Sequence, residues 1–233
     1  MTRLLLALLL LLLASPAWAA VAYDNASSAI DTVGASNTLT VSHTLNSATN
    51  GAAVACAMSR TAAAPTSVTY NGSAMTQVGT TVTVDAVVTV TMWRILTASM
   101  GAGTYNLVID WGATSSDHVG GIVSFTGVHQ TTPVSGAATA TGSSSTASVT
   151  VTSATDNMGV SCVVGKNRVV TSLDTSRWTQ AGSDGYGEST IAGAASVVLD
   201  WTLTVSDSWG IIGASVDQAA GAAGPIRHRV IQQ

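Results

Sequence analysis

Thr38-Leu39-Thr40-Val41-Ser42-His43 places its apolar residues at every second position, the period of a strand with one face in a core and the other in water. The same signal recurs about every dozen residues. Strand-like runs fall at 39–45, 53–58, 67–70, 81–84, 87–96, 105–111, 119–125, 147–152, 158–164, 177–181, 194–201 and 210–216. Gly, Asn, Asp, Ser or Pro separates them, with hairpin chemistry at Asn71-Gly72 and Asp184-Gly185. No segment sustains a helical period. The pattern predicts an all-β chain, a sandwich or barrel rather than alternating strands and helices.

Composition agrees. Charged residues make up 9% of the chain, aromatics 5% and hydrophobics 46%, with 22 Gly; ordinary soluble domains are about a quarter charged. Ser and Thr take the place of charges, which gives strands a hydroxyl-coated outer face. Disordered chains lack β-branched residues, whereas Val and Thr run through this one. The net charge is −4, with no basic face for a phosphate backbone, so nucleic-acid binding is disfavoured.

The first twenty residues stand apart. Arg3 gives a positive start, 4–13 is almost pure leucine, Pro16 breaks it, and Ala17-Trp18-Ala19 is a small-x-small cleavage pattern. An uncleaved anchor is the alternative, but the run is well short of the roughly 20 residues a membrane-spanning helix needs. The sequence therefore predicts a signal peptide over 1–20, one β-sandwich domain over 21–218, and a Gly/Ala hinge with a short basic tail over 219–233. No later segment is apolar enough to span a bilayer, and the expected location is extracellular or at the cell surface.

An internal repeat sharpens the fold. Val108-Ile109-Asp110-Trp111 matches Val198-Leu199-Asp200-Trp201 at an offset of 90. Ser116-Asp117, Gly120 and Ile122 continue it onto Ser206-Asp207, Gly210 and Ile212. Upstream, Ser47-Ala48-Thr49, Val54 and Cys56 match Ser153-Ala154-Thr155, Val160 and Cys162 at an offset of 106. Two similar halves predict a jelly-roll-like β-sandwich built from two Greek-key units. Two separate small domains are disfavoured, because each half is small for a core of its own, and the 136–145 connection reads as a plain loop. Cys56 and Cys162 occupy matching places. In an exported chain they invite a disulfide closing about 105 residues, worth up to roughly 4–5 kcal/mol. Two buried thiols remain the alternative.

Four stretches also carry a resemblance: 22–28, 67–72 (Ser-Val-Thr-Tyr-Asn-Gly), 124–133 and 201–209. In collinear order over most of the chain they resemble β-sandwich modules of unassigned activity in bacterial secreted and surface proteins and in some phage structural proteins. The resemblance implies the fold and carries over no catalytic or ligand residues.

Catalytic constellations are thin. His43, His118, His129 and His228 are scattered, without metal-site spacing, and no Gly-x-Ser-x-Gly elbow occurs. Asp117 and Asp207 read as turn-capping carboxylates. The segment 172–190 gathers Asp174, Arg177, Trp178, Asp184, Tyr186 and Glu188 among glycines. An aromatic face with carboxylate acceptors suits a sugar ring, and Asp184 and Glu188 offer the hard oxygens Ca²⁺ takes; an ordinary solvated loop is the bland reading. In the tail, Ile226, Arg227, His228, Arg229 and Val230 form a candidate assembly strand that pairs within the chain or with a neighbouring copy. The functional expectation is a non-catalytic extracellular structural or surface-assembly module whose partners are other copies, matrix or glycan. No cofactor is expected. A carbohydrate-binding or adhesion module using 172–190 is the second reading, and a phage-type virion protein the third.

Overall fold

The computed structural model describes residues 19–34, 36–60, 63–114 and 117–219. Most of the signal peptide, and the tail candidates Ile226, Arg227, His228, Arg229 and Val230, lie outside the described residues. Within them the chain is all-β. The strands are β1 (Ala22–Asp31), β2 (Thr38–Leu45), β3 (Ala52–Ser59), β4 (Ser67–Tyr70), β5 (Ser73–Ala74), β6 (Thr76–Val84), β7 (Val88–Leu96), β8 (Gly103–Asp110), β9 (His118–Thr126) and β10 (Val134–Thr152). They continue with β11 (Met158–Gly165), β12 (Val170–Ser172), β13 (Thr175–Ala181), β14 (Gly185–Ala192) and β15 (Ser196–Val216). No helix among these residues is long and apolar enough to cross a membrane.

The strands pair antiparallel in three sheets, ordered β1-β9-β3-β7-β6, β2-β8-β4-β5 and β10-β15-β11-β14-β13, with β12 also on β15. Between Ser144↔Asp207 and Thr146↔Thr202 the β10–β15 register jumps, leaving residues 203–206 out of that ladder. Here the long strands double back. Their inner parts run β10-β15-β11-β14-β13, and their outer parts form a second layer, β10-β15-β12. The first half has the same two layers, β1-β9-β3-β7-β6 and β2-β8-β4. What is β1 and β2 there is the single strand β10 here, and β8 and β9 correspond to β15. The expected sandwich is present, but each half has two layers of its own and the halves stack into four.

Period-two patterning explains the stacking. In β3, Val54, Cys56 and Met58 face a core shared by both halves, where they meet Val160, Cys162, Val164, Ile212 and Tyr186. The alternate Ala53, Ala55 and Ala57 face a second core with Leu39, Val41, Leu107 and Ile109. A third core, with Val149, Val163, Leu199 and Trp201, is the counterpart in the second half. Strands buried on both faces lose the polar alternation of surface strands, as β3 does at every position.

A pseudo-two-fold axis relates the halves. Cys56 and Cys162, 106 apart, are joined by a disulfide; equivalent residues meet only near such an axis. Arg60 and Lys166, again 106 apart, reach across reciprocally. Arg60 pairs with Asp184 of the β13–β14 turn at 3.0 Å, and Lys166 with Asp85 of the β6–β7 turn at 2.8 Å.

Three expectations need correction. Gly120 and Gly210 are not equivalent: a Cβ on Gly120 points at Ile109 and Leu39 of an outer core, whereas one on Gly210 points at Val82 and Val84 of the shared core. The offset is 90 along β8 but 91 along β9, and a one-residue slip reverses the face. Residues 136–145 are strand rather than loop, part of β10. Residues 172–190 are mostly the β13–β14 hairpin, not a flexible loop.

Candidate functional site

The six residues of the 172–190 cluster are dispersed. Trp178 and Glu188 face each other across the β13–β14 ladder and point into the shared core. The Trp178 Nε1 donates to Glu188 Oε2 at 2.6 Å. Trp178 is 7% exposed and Glu188 fully buried, and burial pushes the Glu188 carboxyl well above the usual range. The indole lies over Gly121 of the opposite half, where an added Cβ would come within 2.0 Å of Cε2. Trp178 therefore joins the halves and has no open face for a sugar ring.

Asp184 and Tyr186 sit at one end of the same interface. Tyr186 Oη lies 3.1 Å from Asp117 Oδ2 and 3.2 Å from Asp184 Oδ2. Arg60 neutralises Asp184, which also accepts from the Asn167 N–H at 2.7 Å, and Asp117 accepts from the Ser183 N–H at 2.7 Å. Burial and both carboxylates hold the Tyr186 phenol far above its ordinary value. Asp117 is thus a buried tie between halves, whereas Asp207 forms a partly exposed pair with Arg168 at 3.3 Å. The repeat does not give them one role. Asp184 and Glu188 both have protein partners, and among the described residues no group of three or more His, Cys, Asp or Glu is placed to hold a metal ion.

The other two members point elsewhere. Arg177 donates from Nε to Thr190 Oγ1 at 2.7 Å and lies 3.8 Å over the Tyr23 ring. Asp174 is half-buried and accepts from the Asp200 N–H at 3.0 Å; burial raises its carboxyl pKa.

One constellation escaped the sequence reading. His43 Nδ1 is 3.0 Å from Ser27 Oγ, and its Nε2 3.0 Å from Ser124 Oγ. Ser124 donates to Asp24 Oδ2 at 2.8 Å. A hydroxyl has one proton, so Ser124 must accept from Nε2–H, leaving Nδ1 to accept from Ser27. The order Ser27–His43–Ser124–Asp24 looks like a nucleophile, base and orienting group. Its environment differs from such a site: His43 is 1% exposed, burial lowers its pKa to about 4, and the carboxylate reaches it only through a hydroxyl. Asp24 also accepts from the Asn46 and Ser47 N–H groups. The network ties β1 to β2 and β9. Its one sequence signal is His43 at an inward position, in register with Leu39, Val41 and Leu45.

The free surface is hydroxyl-rich. Thr38, Thr40 and Ser42 face out from β2 beside Asp110, Val108 and Asn106 of β8, with Ser67 and Thr69 of β4 on the far side. A shallow depression of about 430 Å³ there is lined by Thr69, Asn71, Thr104, Asn106 and Val108. Sheet edges are also present among the described residues, β10 among them, which pairs with β15 alone. No protein-family model matches the sequence, and no curated protein matches it.

Proposed function

We propose that the chain is an extracellular structural module that acts by assembly rather than by catalysis. One observation carries this reading. The side chains best suited to chemistry, Glu188, Asp184, Asp117, Tyr186, Arg60 and His43, lie at internal seams and bond to one another or to neighbouring strands. What faces outward is hydroxyl-coated sheet and sheet edge. A disulfide through the shared core suits an oxidising compartment, in keeping with the signal-peptide pattern of the first twenty residues. Low surface charge leaves little repulsion between like copies and few of the charged residues that normally blunt edges. The glycan-binding alternative loses its aromatic platform with the burial of Trp178.

Negative-stain images of the mature protein at rising concentration, with a glycan array run on the same preparation, test this. Ordered pairs or larger assemblies without saturable glycan binding are the expected result. Saturable binding to one glycan class by a particle that stays single overturns it.

A further inference from the structure

Asparagine is chemically fragile when glycine follows it, because no Cβ hinders attack by the glycine amide nitrogen on the asparagine side chain. The sequence has two such pairs, Asn50-Gly51 and Asn71-Gly72, and the fold treats them differently. Gly51 is buried, its N–H donates to the Ala48 carbonyl at 3.0 Å, and its carbonyl accepts from the Thr97 N–H at 2.9 Å. The Asn50 carbonyl accepts from the Val128 N–H at 2.8 Å. Turning this peptide so that its nitrogen reaches the Asn50 side chain breaks these bonds.

Asn71 and Gly72 form the tip of the two-residue hairpin between β4 and β5, closed by the Tyr70↔Ser73 pair. Both are exposed, with φ of 50° and 73°, the conformation of a tight hairpin turn. The space where a Gly72 Cβ would stand is empty to 4 Å. The Asn71 N–H donates to the Asn106 carbonyl at 3.0 Å, but among the described residues no hydrogen bond holds the Gly72 nitrogen. β5 is two exposed residues long, so the tip can rotate while Tyr70 and Met75 stay buried on either side. Asn25, Asn46, Asn157 and Asn167, by contrast, have their side-chain amides tied by hydrogen bonds.

We propose that Asn71 is a self-modification site, at which the Gly72 nitrogen displaces the side-chain amide and water turns residue 71 into an acid. The Gly72 N–Cγ bond forms, the Cγ–Nδ2 bond breaks, and Nδ2 leaves as ammonia with the proton from Gly72. Water then opens the cyclic imide. Cleavage at Cγ gives an aspartate, and cleavage at the backbone carbonyl gives an isoaspartate that lengthens the turn by a methylene. Only water is consumed. The new carboxylate arises at the rim of the depression lined by Thr69, Thr104, Asn106 and Val108, none of them charged. The outward face of β4 and β8 therefore gains negative charge as the protein ages.

The test holds the folded, oxidised protein at mildly alkaline pH and body temperature, with a parallel sample unfolded in urea. Peptide mass spectrometry reads amide loss at each asparagine, and isoaspartyl methyltransferase labelling reads the rearranged product. Folded protein should convert at Asn71 at least several-fold faster than at Asn50, and the unfolded chain should convert at both. Asn71→Gln should remove the early product. Conversion at Asn71 only after unfolding overturns the proposal, because the hairpin then protects the residue. Equal conversion at Asn50 and Asn71 in the folded protein overturns it too, because the fold then makes no selection.

Discussion

Cys56→Ala/Cys162→Ala removes the disulfide that ties the halves across their shared core. The bond joins residues 106 apart, and cross-linking a loop of about 100 residues restricts the unfolded chain by about 4.7 kcal/mol in the chain-entropy model. Both sulfurs are fully buried, so their removal also leaves small voids that add to the loss. The ion pairs, Trp178 and the surrounding Val and Ile side chains remain, so the variant should still fold. For a chain of this size each kcal/mol shifts the melting temperature by about 2–4 °C, which gives a fall of about 10–20 °C. Calorimetry of both proteins without reductant reads this, and thiol titration of the unfolded wild type should find no free thiol. A fall below about 4 °C would refute the reasoning: the interface alone would then hold the halves, and restricting the unfolded chain would contribute little.

Three further outcomes follow from the seams. The folded pKa of His43 is about 4 against an ordinary 6.5, so between these values the unfolded chain binds more protons than the folded one. Stability must then fall as pH drops through that window, by about 3 kcal/mol from this group; urea titrations at several pH values should show a slope that His43→Gln lacks. Gly121→Ala places a Cβ 2.0 Å from the Trp178 ring and should cost about 1–3 kcal/mol by overpacking, seen as a lower urea midpoint with an unchanged slope. Arg60→Ala uncovers Asp184, whose side chain is fully buried, and should cost about 2–4 kcal/mol. Lys166→Ala breaks the symmetry-related but exposed pair and should cost under about 1 kcal/mol. Equal losses would show that burial does not separate the two pairs.

Much of this architecture is legible in the sequence because it depends on period-two patterning and repetition. The alternation at 38–43 marks β2, and the 106-residue offset anticipates the disulfide. Three strands carry no period-two signal of their own. The first part of β10 is almost all Ala, Ser, Thr and Gly, and β1 mixes small residues with Asp and Asn, so the few apolar side chains they turn to the cores form no clear alternation. β14 lies in the middle of its sheet, but Gly185, Gly187 and the buried Glu188 interrupt its apolar pattern. The repeat itself misleads by one residue at Gly120 and Gly210, since composition does not fix which face a glycine occupies.

The 172–190 cluster was misplaced for a different reason. Carboxylates among glycines look solvated until their partners are known, and these partners are remote in sequence: Arg60 lies 124 residues from Asp184, and Asp117 69 residues from Tyr186. Likewise His43 meets Ser124 across 81 residues. Stacking of the two halves brings the first two pairs together, and packing of the two layers within the first half brings His43 to Ser124; no local spacing encodes either.

Static light scattering of the oxidised mature protein, from micromolar to millimolar, is the measurement to which the assembly reading is most exposed. A mass that rises from one chain toward two as concentration increases is the predicted result. A mass that stays at one chain over the whole range would contradict it.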